Sequence, residues 1–237
     1  MDPVAGAGSD GSRLPARKRP RQFVTLPAMP FGYYKRLSRA DKAIYRRSEE
    51  VKAIRLPMPV ELQAAAAALQ AALQADQRAG VERVSQALAD ALCFQLEVAR
   101  VKVLVLEVRP SFTGGELHGL YVPAEAARKR PTISVWMRTV AHKRVVAFKS
   151  FLRTLLHELL HHLDYELLEL PQSFHTQGFF QRESSLFHQL VPEARAVRKR
   201  KADEAPRQTT LEERAAAQST TSSAPDAASQ EKASPRT

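Results

Sequence analysis

The residues best suited to chemistry lie in one short stretch of the chain, from Thr154 to Tyr165. Within it, His157, Glu158 and His161 have the spacing H-E-x-x-H. Residues four apart on a helix lie on the same face, so both imidazoles can bind one metal ion. Glu158 is then placed to take a proton from a water that the ion holds. The spacing therefore predicts one zinc ion per chain, with Glu158 as the general base for hydrolysis.

A buried helix is expected to carry this motif. The run from Ala147 to Leu170 contains no Pro or Gly and is rich in leucine on almost every side, and Pro171 follows it. A helix that is apolar all round is buried, and charged or polar groups on it are costly unless they are satisfied. The alternative to a metal site is that His157 and His161 are hydrogen-bonded core residues beside a surface carboxylate.

A catalytic zinc ion needs a third protein ligand, and three residues after the motif are candidates. Asp164 lies on the same helix face, but ligands from one short helix surround an ion poorly, so we expect it to orient a ligand histidine instead. His175 follows the turn predicted at Leu170–Ser173, and Glu183 lies in the next helical run. The sequence favours His175 and leaves Glu183 as the alternative ligand.

With His175 and Phe179 included, the pattern resembles the SprT-like zinc metalloproteases, which include the Spartan-type DNA–protein crosslink proteases. The resemblance covers about residues 101–190. It implies that His157, His161 and His175 bind zinc, that Glu158 is the catalytic base and that proteins or peptides are the substrates. Two features differ from the family: Thr176 follows the third histidine where glycine is usual, and with Cys93 as its only cysteine the chain lacks a Cys-rich zinc ribbon.

The resemblance also implies a strand that pairs with the substrate backbone at the edge of the sheet. In such enzymes this strand comes just before the active helix. That position assigns the role to Thr132, Ile133, Ser134, Val135 and Trp136. The alternative is that these residues form an ordinary core strand.

The fold is predicted to be α+β and to resemble a minimal zincin. Apolar segments predict strands at about 101–108, 117–122 and 132–137. Ser38 and Asp41 form a capping box for a helix that ends near residue 51. Two further helices, at 61–76 and 81–96, are expected to pair as a hairpin, and a last helix is expected at 178–190. The predicted organisation is a disordered basic tail (1–22), a helical part packed on the catalytic core (23–100), the core itself (101–192) and a second disordered tail (193–237).

The net charge of +11 is not confined to the predicted tails, because residues 23–192 carry 22 basic and 16 acidic side chains. This excess is compatible with nucleic acid as a partner, bound through the basic surface and tails, and equally with simple solubility. The sequence has no run of about 20 apolar residues and no apolar secretory segment, so no membrane contact is expected. A single cysteine is compatible with a reducing compartment. We therefore expect a cytoplasmic protein, with nucleoid association as an open alternative.

These features predict a zinc-dependent endopeptidase, and two other functions stay open. One is a zinc-binding or interaction module without catalysis. The other is a nucleic-acid-associated protein whose protease acts only on DNA-bound proteins.

Overall fold

The structure is a computed structural model that describes residues 31–113, 115–125 and 130–194. The predicted tails, 1–22 and most of 193–237, lie outside these ranges. The described part is a mixed α+β fold, as predicted. After a 3-10 helix at Gly32–Arg36 the helices are α1 (Arg39–Glu50), α2 (Pro59–Gln74), α3 (Arg78–Gln95), α4 (Phe148–Glu166) and α5 (Gln177–Leu190). The strands are β1 (Lys102–Val108), β2 (Ser111–Phe112), β3 (Gly115–Glu116), β4 (Gly119–Val122) and β5 (Thr132–Arg138).

The main sheet has three strands in the order β1-β5-β4. Strand β5 runs parallel to β1, with Lys102 opposite Thr132, and antiparallel to β4, with Gly119 opposite Val135. It is the most buried of the three, since four of its seven residues are buried. A strand that pairs on both sides and is buried in this way has a near-continuous apolar sequence.

This topology corrects the substrate-strand prediction. Thr132, Ile133, Ser134, Val135 and Trp136 lie in the central strand, and both of its edges are already paired. No peptide can add to them without displacing β1 or β4. The prediction was wrong because the chain order of the strands differs from their order in the sheet. The alternative, an ordinary core strand, is what the structure has.

The outer edge of β1 is covered by side chains of α3. Glu82 Oε2 accepts a hydrogen bond from the Val105 N–H at 2.9 Å. Gln86 Oε1 accepts from the Val103 N–H at 2.8 Å, and its amide donates to the Val101 carbonyl at 2.9 Å. Backbone groups of β1 that would otherwise be unpaired are satisfied in this way. In the described three-stranded sheet, β4 therefore has the edge that remains open to a partner strand.

The helices enclose the sheet and complete the core. Helix α4 packs on β4 and β5, α3 packs on β1, and α2 forms a hairpin with α3 and also contacts α4 and α5. Ser38 caps α1 as predicted, because its Oγ accepts from the Asp41 N–H at 3.0 Å. Two further elements complete the described fold: residues 32–36 form a 3-10 helix, and β2 and β3 form a short hairpin.

Among the residues that the structure describes, no helix is both long enough and apolar enough to cross a bilayer.

Candidate metal centre

Three histidine side chains converge at one point on the surface of α4. His157 and His161 project from adjacent turns of the helix, and His175 reaches them from the loop before α5. His175 Nε2 lies 2.9 Å from His157 Nε2 and 3.1 Å from His161 Nε2. These ligand atoms lie within 4.8 Å of one another, so the three residues could hold a metal ion.

The donor set fits zinc in chemistry and in spacing. Nitrogen ligands on a tetrahedral zinc ion, with bonds of about 2.0–2.1 Å, lie roughly 3.3–3.4 Å apart. Small side-chain movements would bring the three Nε2 atoms to that spacing. Three protein ligands also leave one position of a tetrahedral site open, as catalytic zinc requires.

Phe179 forms an apolar floor beneath the three imidazoles. Its ring centroid lies 4.9 Å from those of His157 and His161 and 5.1 Å from that of His175. Phe179 is fully buried, so the rings rest on a fixed surface. Phe179 therefore supports the His175 turn and the rings of the other two histidines.

The second ring nitrogen of each motif histidine has its own partner. His157 Nδ1 lies 3.3 Å from Glu183 Oε2, and Glu183 in turn accepts a hydrogen bond from Arg153 at 3.0 Å. His161 Nδ1 lies 2.7 Å from Ser173 Oγ. A partner at Nδ1 fixes the orientation of a histidine and directs Nε2 to the metal. Glu183, the alternative third ligand, thus contacts the side of His157 that faces away from the convergence point.

Burial and mutual proximity lower the pKa values of two of the three imidazoles, those of His161 and His175. The pKa of His161 is lowered to about 3, first by burial and then by the charges of His157 and His175. The pKa of His175 is lowered as well, mainly by burial. Neutral imidazole is the form that binds metal, so His161 and His175 could accept an ion without first losing protons.

Glu158 lies beside the three histidines, beneath strand β4. Only 6% of its surface is exposed. Burial raises the pKa of its carboxyl to about 7, although His157 and a backbone hydrogen bond from Tyr121 act in the opposite direction. A β-carbon at Gly119 would overlap Glu158 Oε1 and come within 2.7 Å of Cγ. The absence of a side chain at position 119 therefore lets the strand pass directly over the carboxylate.

A cleft of about 570 Å³ opens over these groups. One side is formed by β4 and its neighbours, including His118, Leu120 and Pro123, and the other by Arg153, Tyr165 and Glu183. Tyr121 joins β4 to the helix beneath, since its hydroxyl lies 3.2 Å from Nδ1 of the buried His162. The cleft thus places the three histidines, Glu158 and the edge of β4 in one space.

Asp164 is linked to His161 through Ser173. It is fully buried; its Oδ2 accepts from Ser173 Oγ at 2.7 Å, and its Oδ1 accepts from Arg182 at 2.8 Å. Burial raises the pKa of Asp164, and the adjacent Arg182 and Ser173 act against that rise. Helical spacing placed Asp164 near a candidate ligand histidine but gave no sign of Ser173 or Arg182. Neither residue belongs to a spacing pattern, and their contacts depend on how α4 and α5 pack.

Residues before α2 also hold the segment that carries His175, and sequence reasoning missed them. The Tyr33 hydroxyl donates to the His175 carbonyl at 2.8 Å. Thr176 caps α5 by accepting from the Phe179 N–H at 2.9 Å, and its hydroxyl lies 3.1 Å from that of Ser48 in α1. The contacts of Tyr33 with His175 and of Ser48 with Thr176 span more than 120 positions, so no local pattern could have predicted them.

We compared the chain with protein-family models, curated proteins and solved structures, and none of them matches it.

Proposed function

We propose that this chain is a zinc-dependent endopeptidase with a minimal zincin-like fold, as its resemblance to the SprT-like metalloproteases implies. One observation carries the proposal: three histidine Nε2 atoms converge beside a buried glutamate, in a cleft bordered by an open strand edge. A purely structural metal site would need neither the open cleft nor the carboxylate beneath β4.

Each residue then has a role in peptide hydrolysis. His157, His161 and His175 hold the ion. When bound, zinc supplies Lewis acidity that polarises the scissile carbonyl and acidifies a water. Glu158 removes the proton from that water and passes it to the departing amine nitrogen. The raised pKa of Glu158 favours this role, because a base that also returns a proton works best with a pKa near the working pH.

The substrate backbone is proposed to pair with β4, which replaces β5 in this role. Strand addition binds a peptide through backbone hydrogen bonds and makes little demand on its sequence. Gly119 and Leu120 both line the cleft, so a peptide on this edge would pass the convergence point of the histidines.

The first test is the zinc content of purified Glu158→Gln protein and of the same protein with His175→Ala added. The glutamine variant should hold about one zinc per chain and the double variant should lose it. Wild-type protein should cleave unfolded casein, and Glu158→Gln should be slower by a factor on the order of 10²–10⁴. Absence of zinc from the parent after reconstitution would refute the proposal. Zinc without any peptidase activity would favour a non-catalytic zinc-binding module.

A second candidate function rests on the exposed cations that precede the site. Lys35, Arg36, Arg39, Arg46 and Arg47 are all exposed on the 3-10 helix and α1. We propose this surface as a nucleic-acid contact that would bring the protease to DNA-bound proteins. Binding to single-stranded DNA should then weaken steeply as salt rises, because phosphate contacts release counterions. Salt-independent binding, or none, would remove this candidate and leave the peptidase proposal intact.

A further inference from the structure

A chain of buried polar side chains runs from Arg182 on α5 to the metal ligand His161. Arg182 donates to Asp164 Oδ1 at 2.8 Å, and Ser173 donates to Asp164 Oδ2 at 2.7 Å. Ser173 Oγ in turn lies 2.7 Å from His161 Nδ1. We infer that Arg182, Asp164 and Ser173 are positioning residues that fix His161 in the tautomer whose Nε2 is free to bind metal. This inference rests on the proposed metal site but concerns the protein before any ion binds.

The direction of each hydrogen bond in the chain follows from what each group can do. A guanidinium has only donors, and an ionised carboxylate has only acceptors. The single hydroxyl proton of Ser173 is therefore committed to Asp164. The Ser173 oxygen can then only accept from His161, so the proton of the neutral imidazole resides on Nδ1. The lone pair of Nε2 is left facing His157 and His175.

The hydrogen bonds keep these donor and acceptor roles only if Asp164 is ionised. Both side chains of the Asp164–Arg182 pair are 0% exposed. Asp164 is the only carboxylate within salt-bridge distance of Arg182 in the described part of the chain. A neutral Asp164 would leave a buried guanidinium without a paired charge, which costs far more than keeping the ion pair. Arginine itself does not lose its proton in proteins.

Helix α1 holds the guanidinium of Arg182, with which this chain of hydrogen bonds begins. Arg182 donates to the carbonyls of Ser48 and Val51 at 2.6 and 2.7 Å, and to Ser48 Oγ at 3.0 Å. Carbonyls at the C-terminal end of a helix have no partner within it, so they are available for this contact. Apolar residues of the same volume would commonly fold as well as a buried ion pair. The arrangement is therefore better explained by the orientation it gives His161 than by stability.

The sharpest test is Asp164→Asn. This change keeps the shape of the side chain but reverses the direction of the hydrogen bonds that lead from residue 164 through Ser173 to His161. The amide oxygen of the asparagine must face the donor Arg182, so its NH₂ group faces Ser173. Ser173 then accepts from the asparagine and donates to His161 Nδ1, which moves the imidazole proton to Nε2. The tautomer is read in metal-free protein by long-range ¹H–¹⁵N NMR of ¹⁵N-labelled histidine. Wild type should show Nδ1–H at His161 and the variant Nε2–H.

Zinc affinity provides a second readout by competition with a chelator. Asp164→Asn and Ser173→Ala should each weaken zinc binding by about 10- to 100-fold, which is typical for loss of such an outer partner. Ser173→Thr keeps the hydroxyl and should restore binding. Ser85→Ala is the matched control, because Ser85 is also buried and its hydroxyl has no partner in the described structure. It should leave both the tautomer and the affinity unchanged.

The outcomes separate this inference from the proposed function. A wild-type tautomer and affinity in both Asp164→Asn and Ser173→Ala would overturn the inference. If Asp164→Asn does not fold, the Ser173→Ala and Ser173→Thr pair decides, and equal affinities in that pair would refute the inference. If the tautomer follows the prediction in metal-free protein but no variant, nor wild type, binds zinc, the inferred chain holds and the proposed function fails.

Discussion

The carboxyl group of Glu158 lies where its charged form is disfavoured. It is 6% exposed, and burial raises its pKa to about 7. Groups placed for chemistry commonly reduce the stability of the fold, because the geometry that serves the reaction is not the one that solvates them best. Stability as a function of pH can therefore detect the placement of this glutamate without any substrate.

Glu158→Gln should stabilise the metal-free protein, and more at pH 8 than at pH 5. A carboxyl whose folded pKa is raised contributes stability that is present below its unfolded value of 4.5 and is lost as pH rises through 7. Glutamine has no such loss, so the difference should grow over this range to the order of 2–3 kcal/mol. Urea unfolding in EDTA at both pH values measures it. An equal effect at pH 5 and pH 8 would contradict the assigned burial.

At the scale of single residues, the sequence predicted those site positions that helical spacing determines. His157, Glu158 and His161 follow from the geometry of one helix, and His175 follows from the break at Pro171. The contacts of Ser173 and Arg182 with Asp164 could not be predicted, because a serine or an arginine has no distinctive spacing. Their roles depend on loops and helices that meet only in the folded chain, as with Arg182 and Ser48, which are 134 positions apart.

At the scale of elements, two glycines lie where neighbouring segments approach closely. One of them faces side-chain atoms and the other faces backbone atoms. Gly119 of β4 faces the end of a flexible side chain, Glu158. Gly178 of α5 faces backbone of α1: a β-carbon there would overlap the Ser48 carbonyl and come within 2.8 Å of Glu49 Cα. A side chain can move aside cheaply and a packed backbone cannot, so alanine should affect activity at one position and stability at the other.

Gly119→Ala should reduce peptidase activity at least tenfold while zinc content and stability change little. The added methyl group displaces the carboxylate that is proposed to take a proton from water, and misplacement by about 1 Å can cost on the order of 10²-fold. Casein cleavage, zinc analysis and urea unfolding test the three parts. Gly32→Ala is the control, since a β-carbon there meets nothing within 4 Å. Full activity in Gly119→Ala would show that the strand does not constrain the glutamate.

Gly178→Ala should lower the free energy of unfolding by about 1–3 kcal/mol, the usual cost of overpacking a rigid contact. The matched control is Gly80→Ala near the start of α3, where the added atom would meet only Gln77 Cβ at 3.7 Å. That change should stabilise the protein by about 0.5–1 kcal/mol, because alanine is the better helix former. The same sign for both variants would mean that α1 and α5 are less tightly packed than described.

The positions of the helices and strands along the chain were largely predictable, whereas the elements that pack beside each of them in the fold were not. Apolar runs and caps located all three strands of the main sheet and the major helices. Periodicity within a strand does not say which strands flank it, so the position of β5 between β1 and β4 could not be read from residues 132–138. Its four buried residues were compatible with this central position, but the resemblance to enzymes with an edge strand there favoured the wrong assignment.

At the scale of the whole molecule, the single thiol reports on global unfolding. Cys93 lies in the core on α3 and is fully buried. Burial raises the pKa of its thiol to about 11. Alkylating reagents attack the thiolate, so the folded protein offers them almost nothing to react with near neutral pH.

Iodoacetamide at pH 8 should alkylate folded protein on the order of 10³-fold more slowly than protein in urea, as expected for a fold of at least about 5 kcal/mol. Free zinc at about 100 times its dissociation constant should slow the reaction roughly another 100-fold, because it stabilises the folded state by about 2.7 kcal/mol. Mass spectrometry follows the modification. His175→Ala protein should show no zinc effect, and fast alkylation of folded wild type would refute the buried position of Cys93.

The contact between Arg182 and Ser48, 134 positions apart, has a consequence for the chain during its synthesis. During synthesis α1 leaves the ribosome well before α4, and α5 follows α4. Until then the histidine pair on α4 lacks both His175 and the guanidinium that orients His161 through Asp164 and Ser173. A nascent or prematurely terminated product thus contains the H-E-x-x-H sequence without an assembled ion site. The proposed peptidase activity would therefore require that synthesis has passed α5.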